Sequence, residues 1–167
     1  MSLITDAYSR KIVGWALEDS LGAIGPVTAL KMAIKENKSR LCADLIHHSD
    51  RGVQYCCREY TDLLNYHFIS ISMTEQGDPY ENALAERMNR TIKEEMLQNK
   101  CFADLVQAQE AVQRAILNYN TLRPHGSCNY FTPEQAHRMK GELAKKWHPS
   151  KRHEMRKVQP KDKSIVN

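Results

Sequence analysis

No stretch of this 167-residue chain is both long and apolar: runs such as residues 13–17 are only a few residues long. A bilayer-spanning helix needs about 20, so no membrane segment is expected. The first residues carry no basic start, extended apolar stretch or small-residue cleavage site, which leaves a secretory signal without support and makes the cytoplasm the expected compartment. The five cysteines are an odd number without a C-x-x-C pair. That pattern fits neither a disulfide framework nor a zinc ribbon, and reduced thiols are expected. Also missing are G-x-x-x-x-G-K, G-x-G-x-x-G, H-E-x-x-H and G-x-S-x-G, so nucleotide-binding, zinc-protease and serine-hydrolase readings lose their anchors. No internal repeat is present.

What is there is the composition of an ordinary globular protein, 41% hydrophobic and 26% charged, with the charge unevenly placed. Residues 138–167 hold 10 Lys or Arg against 3 Asp or Glu, whereas residues 1–137 hold 14 against 17. One domain over 1–137 followed by a basic tail over 138–167 is therefore expected. An acidic body and a basic end suit a protein that holds divalent cations in one place and polyanion phosphates in another, although a solvated terminus reads the same way.

Residues 2–5 and 11–17 read as strands joined by the turn at Asp6, whose Asp-x-x-Ser is a local hydrogen-bonding motif. Gly25 and Pro26 open a helix running to Asn37, a strand follows over 43–48, a helix over 58–66 buries Tyr60, Leu63 and Leu64, and a strand alternates over 68–73. After a loop at 74–80, helices are expected over 81–97, with Leu84, Met88, Ile92 and Met96 at i+4 steps, and over 104–119. Asp104 with Gln107 and Thr132 with Gln135 resemble capping boxes. A hairpin, then alternating helices and strands, then a helical end predict an α/β fold with a mixed sheet and helices on its faces.

Two carboxylates stand out. Asp50 follows the apolar-to-polar run of residues 45–49 and should lie at a strand's carboxyl end, where α/β sheets bind ligands. Glu86 shares a polar helix face with Arg90 and Lys93, opposite the Leu84–Met88–Ile92 stripe. Two such acids can share Mg²⁺ or Mn²⁺, hard ions that prefer oxygen. On spacing alone, Glu86 with Arg90 also reads as a surface ion pair. His47 and His48 alternate across the strand before Asp50, where core or supporting roles suit imidazole better than holding a hard ion.

Three groups of residues, His48-Ser49-Asp50-Arg51-Gly52-Val53-Gln54-Tyr55, Gly77-Asp78-Pro79-Tyr80-Glu81-Asn82-Ala83-Leu84-Ala85-Glu86, and Lys93, resemble the second and third carboxylate motifs of DDE transposases of bacterial insertion sequences, relatives of retroviral integrases. The 35 residues between Asp50 and Glu86 and the Lys seven positions later fit that pattern. Further likeness lies in Asp6-Ala7-Tyr8-Ser9-Arg10-Lys11-Ile12-Val13-Gly14-Trp15, in Asn118-Tyr119-Asn120-Thr121-Leu122-Arg123-Pro124-His125 and in Thr132-Pro133-Glu134-Gln135-Ala136. The resemblance implies a ribonuclease H-like core, a two-metal site for Mg²⁺ or Mn²⁺ with Asp50 and Glu86 as its second and third ligands, and DNA contacts from Lys93, Arg90 and Arg51. It implies transposon-end cleavage and strand transfer on DNA, by a homo-oligomer.

In the resembled family the first catalytic Asp stands on the sheet's first and central strand, upstream of the stretch that Asp6 begins. This chain alone is thus expected to be inactive or weak, with a non-catalytic DNA-binding or interaction remnant as the alternative. A gap in the sheet would leave two strand edges unpaired, to be met by pairing across a dimer, by local closure or at the expense of stability.

Overall fold

The computed structural model describes residues 1–20, 22–37, 44–74, 82–144 and 146. Its first element is the expected hairpin: β1 (Ser2–Thr5) pairs antiparallel with β2 (Ile12–Ala16), with an irregularity between Ile4 and Thr5. The Asp6 amide donates to the Lys11 carbonyl at 2.8 Å to close the turn. Its carboxylate accepts from the amides of Tyr8 at 3.3 Å and Ser9 at 3.1 Å, the local role that Asp-x-x-Ser suggests.

Helix α1 (Ile24–Glu36) lies on this hairpin and buries Val27, Ala29, Leu30, Ala33 and Ile34. It starts two residues before Pro26. The proline still falls in the first turn, where amides have no partner within the helix, so its missing N–H costs nothing. Close approach of α1 to β2 needs Gly14, since a Cβ there would sit 2.1 Å from the Ala29 carbonyl oxygen. Gly14→Ala must push the helix backbone away and should cost about 1–3 kcal/mol. A urea midpoint unchanged from that of the parent chain would contradict this packing.

Strand β3 (Ile46–Ser49) pairs in parallel with β4 (Ser70–Met73); between them come the short α2 (Val53–Cys56) and α3 (Arg58–Tyr66). Strand β4 begins later than the alternation from Phe68 predicts. Phe68 has φ 56° and ends α3 in the left-handed position, with the Ile69 amide returning to the Leu64 carbonyl at 3.0 Å. Of the three side chains expected inward on α3, Tyr60 and Leu64 are 1% exposed and Leu63 is partly buried against them.

The helix expected over 81–97 has a change of pitch inside it. Helix α4 (Ala83–Arg90) is regular, and Thr91–Met96 is π-helical, with the Leu97 amide reaching the Ile92 carbonyl at 2.9 Å. A stripe at strict i+4 steps drifts by about 40° per step on a 3.6-residue helix. The wider turn takes up that drift and keeps Ile92 fully buried and Met96 against the core. Helix α5 (Leu105–Leu122) runs three residues past Tyr119. The Asp104 carboxylate caps the Gln107 amide at 2.8 Å, but the Gln107 side chain returns to the Ala103 amide, so the box is not reciprocal. At α6 (Pro133–His137) it is, between Thr132 and Gln135.

The β1–β2 hairpin thus lies between two apolar clusters. One joins Ile12 to Met88, Ile92, Val112, Ala115, Ile116 and Tyr119 of the α4–α5 side; the other joins Val27, Leu30 and Ile34 of α1 to Tyr60, Leu64 and Ile69. Among the described residues the strands form two separate two-stranded sheets, β1–β2 and β3–β4. Between them is a cavity of about 570 Å³, lined by Leu3, Ile4 and Thr5 of β1 and by Ile46, His47 and His48 of β3. The gap expected in the sheet is present, and β1 does not pair with β3 across it.

After α6 the chain folds back: the Tyr8 hydroxyl donates to the Gly141 carbonyl at 2.8 Å, and the Lys146 amide donates to that of Gly126 at 2.8 Å. Within the basic tail expected over 138–167, residue 145 and residues 147–167 lie outside the described residues. Among the described residues Cys56, Cys57, Cys101 and Cys128 are unbridged; Cys42 lies outside the described residues. Among the described residues no helix is long and apolar enough to cross a membrane.

Candidate active site

Asp50 is the first residue after β3 and is half-buried. Its Oδ1 accepts the Gly52 amide at 2.9 Å, which fixes the carboxylate over the turn and leaves Oδ2 available. A Cβ on Gly52 would lie 2.9 Å from that Oδ1 and 2.6 Å from Gln54 Nε2, so a larger residue there would displace both side chains. Tyr55 lies close enough to feel the charge: burial first, and then the Asp50 carboxylate, raise its phenol's pKa. Arg51 donates from Nε to the Thr74 carbonyl at 2.6 Å, tying the turn after β3 to the end of β4.

Glu86 stands in the first turn of α4 and is exposed, as are Arg90 and Lys93. Among the described residues Glu86 makes no ion pair, so the Glu86–Arg90 pair suggested by the i+4 spacing does not form. Lys93 lies beyond the change to π-helical pitch, so a constant 100° per residue no longer relates it to Glu86.

Asp50 and Glu86 stand on or next to elements that border one cavity, but neither side chain lines it. His48, two residues before Asp50, and Ala85, next to Glu86, both line the space between the sheets. Among the described residues no group of three or more His, Cys, Asp or Glu side chains is placed to hold a metal ion. Part of the third carboxylate motif, residues 77–81, lies outside the described residues.

The two histidines of β3 divide as their alternation implies. Half-buried His47 meets the Tyr60 hydroxyl through Nε2 at 2.9 Å, and burial, with the charge of His48 second, lowers its pKa to about 4. It is therefore neutral near neutrality. Exposed His48 meets the Ser72 hydroxyl at 2.9 Å.

Asp6 also lines the cavity, and its carboxylate is fully engaged there. Besides the turn amides it accepts the Ser9 hydroxyl, and it meets His137 Nδ1 at 3.1 Å. The other nitrogen of His137 faces Asn37 Oδ1 at 3.0 Å, so hairpin, α1 and α6 meet at one imidazole. Burial works to raise the Asp6 pKa, but the hydrogen bonds from Ser9, His137 and Tyr8 outweigh it and hold the carboxyl below the usual range. This network was not legible in the sequence, because its members are separated by up to 131 positions.

Two sequence profiles described as Integrase core domain match the chain, one over residues 1–79 and one over residues 67–133. The Escherichia coli K12 transposase InsF for insertion sequence IS3A is 30% identical over 140 residues, covering 81% of this chain and 46% of that protein. The transposase for insertion sequence element IS904 of Lactococcus lactis is 31% identical over 131 residues, covering 77% of this chain and 51% of that protein. The chain spans about half the length of the curated relatives it matches. Among solved structures it resembles the HTLV-2 integrase catalytic core domain in complex with magnesium, with TM-score 0.60, 20% identity and 80% of each chain covered. It also resembles a chain of the simian T-cell lymphotropic virus intasome in complex with PP2A regulatory subunit B56 gamma, with TM-score 0.63, 17% identity and 84% of this chain and 49% of that one covered. These likenesses show the fold, the ribonuclease H-like one that the family resemblance implies. By its matched profiles and its transposase relatives, this chain belongs to the integrase core family, as the kind of core carried by insertion-sequence transposases.

Proposed function

We propose that this chain acts on DNA as the core of a transposase, in transposon-end cleavage and strand transfer that depend on Mg²⁺ or Mn²⁺. Asp50 and Glu86 are the metal-holding carboxylates, and Lys93, Arg90 and Arg51 contact the DNA backbone. The observation that carries the reading is the availability of two oxygen donors on elements bordering one cavity: Asp50 held by a single amide, and Glu86 exposed without an ion pair among the described residues. Carboxylate oxygens suit a hard divalent ion. Held by Asp50 and Glu86, such an ion would supply charge stabilisation for phosphoryl transfer. The chain's own part is to fix Asp50 through Gly52, to hold the loop through Arg51 and Thr74, and to offset phosphate charge from Arg90 and Lys93. The protein works as a homo-oligomer in the cytoplasm, with its basic tail adding further phosphate contacts.

A second reading, a non-catalytic DNA-binding or interaction remnant, draws on Asp6. That carboxylate is committed to Ser9 and His137, so the described residues supply two acids, and two acids neutralise a scissile phosphate poorly. On this footing the chain alone is inactive or weak in strand transfer. The metal role is tested by titrating Mn²⁺ into the chain and into Glu86→Gln. The variant should bind at least ~10-fold more weakly, since losing even an outer-sphere partner has that effect. Equal affinities would remove Glu86 from the site.

A further inference from the structure

We propose that Arg10, Arg87 and Arg123, gathered around His125 on the α4–α5 side, form a backbone-phosphate site for DNA, separate from Asp50 and Glu86 and from the contacts at Lys93, Arg90 and Arg51. The inference rests on the DNA reading above and adds a place where the duplex is held. The four side chains come from three parts of the fold: the hairpin turn, α4 and the loop after α5. Ser127 joins two of them, its hydroxyl meeting Arg10 Nε at 3.2 Å and His125 Nδ1 at 3.0 Å. The His125 ring packs edge-on against Tyr119 with centroids 6.4 Å apart, and the Tyr119 hydroxyl reaches Met88 Sδ at 3.1 Å. Arg87 precedes Met88 on α4, and its charge is felt at both His125 and Tyr119.

The charges act on one another as close neighbours do. Burial first, and then the charges of Arg10, Arg123 and Arg87, lower the pKa of His125, which disfavours adding a fourth positive charge to the three arginines. Tyr119 feels the same three cations, although burial dominates and pushes its phenol up to about 12. Arg123 is partly offset by Glu95, 2.6 Å away. Arg87 is exposed and has no ion pair among the described residues, so an anion is the natural complement to its charge. Guanidinium suits this task because its planar donors match phosphate oxygens.

Arg87 also follows Glu86 directly, about 100° round the helix. A strand whose reacting phosphate lies at Glu86 would have a flanking phosphate within reach of the cluster. The hairpin turn and the loop after α5 would then act as a backbone clamp that fixes register without reading sequence.

The test is the salt dependence of duplex binding by the full chain, compared among wild type, Arg87→Gln and Arg58→Gln, the last on α3 at the other cluster. Each phosphate contact contributes about −0.9 to the slope of log K against log salt. Arg87→Gln should therefore make the slope less negative by about 1, with an unchanged melting temperature, and adding Arg123→Gln should move it further; Arg58→Gln should match wild type. A salt-dependent wild type with the same slope in Arg87→Gln would overturn the clamp and leave the DNA reading standing. A wild type whose affinity for duplex is absent or independent of salt would overturn both.

Discussion

Asn120→Ala should destabilise the chain by about 2–5 kcal/mol, read as a lowered urea midpoint with an unchanged slope. Asn120 sits on the inner face of α5, 8% exposed, opposite Ile12, which is 3% exposed. Its Oδ1 accepts the Ile12 amide at 3.0 Å, and its Nδ2 donates to the Ile12 carbonyl at 3.0 Å. The side-chain amide thus does for the outer edge of β2 what a neighbouring strand would do, satisfying both backbone groups of one residue. Alanine leaves a buried N–H and a buried C=O unpaired, each at about 1–3 kcal/mol. Against a total of about 5–15 kcal/mol for a domain, that is a large fraction. Asn120→Asp is a sharper probe. It keeps the acceptor for the Ile12 amide but sets a carboxylate against the Ile12 carbonyl, and should be at least as harmful. A loss below ~1 kcal/mol in both variants would mean that water reaches this edge and that Asn120 does not stand in for a strand.

That role was not readable from spacing. Asn120 lies within the segment Asn118 to His125 that resembles the transposases, but periodicity marks Leu105, Ala108, Val112, Ile116 and Tyr119 as inward, and an Asn beside the last of them reads as solvent-facing. The hairpin, α1 and α3 were legible because period and punctuation agree there: β-branched residues on either side of the Asp6 turn, Pro26 near a helix start, and Tyr60 and Leu64 one turn apart. The reading fails where backbone conformation overrides side-chain pattern. Phe68 continues an apolar alternation on paper but takes the left-handed position that ends α3. The Leu84–Met88–Ile92–Met96 stripe implies one regular helix, yet i+4 steps on a regular helix drift away from the core, and the chain answers with a π-helical turn. Asp50 and Glu86, the proposed metal-holding carboxylates, are singled out by a motif that keeps its acids at fixed spacing. The imidazole joining Asp6 to Asn37, and the arginines round His125, are not. Each comes from a different element, and only the packing of those elements makes them neighbours.

His47 gives the chain a pH dependence whose sign follows from its surroundings. Its imidazole is half-buried, meets Tyr60 at 2.9 Å and has its pKa lowered to about 4, by burial first and the charge of His48 second. In the unfolded chain the same group titrates near 6.5. Between those values the unfolded state binds a proton that the folded state does not. Stability is therefore complete above the unfolded value and falls as the pH drops toward 4. At ~1.36 kcal/mol per unit the gap corresponds to about 3 kcal/mol, most of it spent by pH ~4.5. Asp6 and Glu134, whose pKa values are held down by their hydrogen bonds, act in the same direction but lower in pH, and His125 adds to the window itself. Urea unfolding of wild type and His47→Gln at pH ~7 and ~4.5 separates these contributions, because the variant keeps every one except His47. Wild type should lose about 2–3 kcal/mol more than the variant between the two conditions. Equal losses would place His47 in water rather than against Tyr60, and with it the inner face of the strand that carries Asp50.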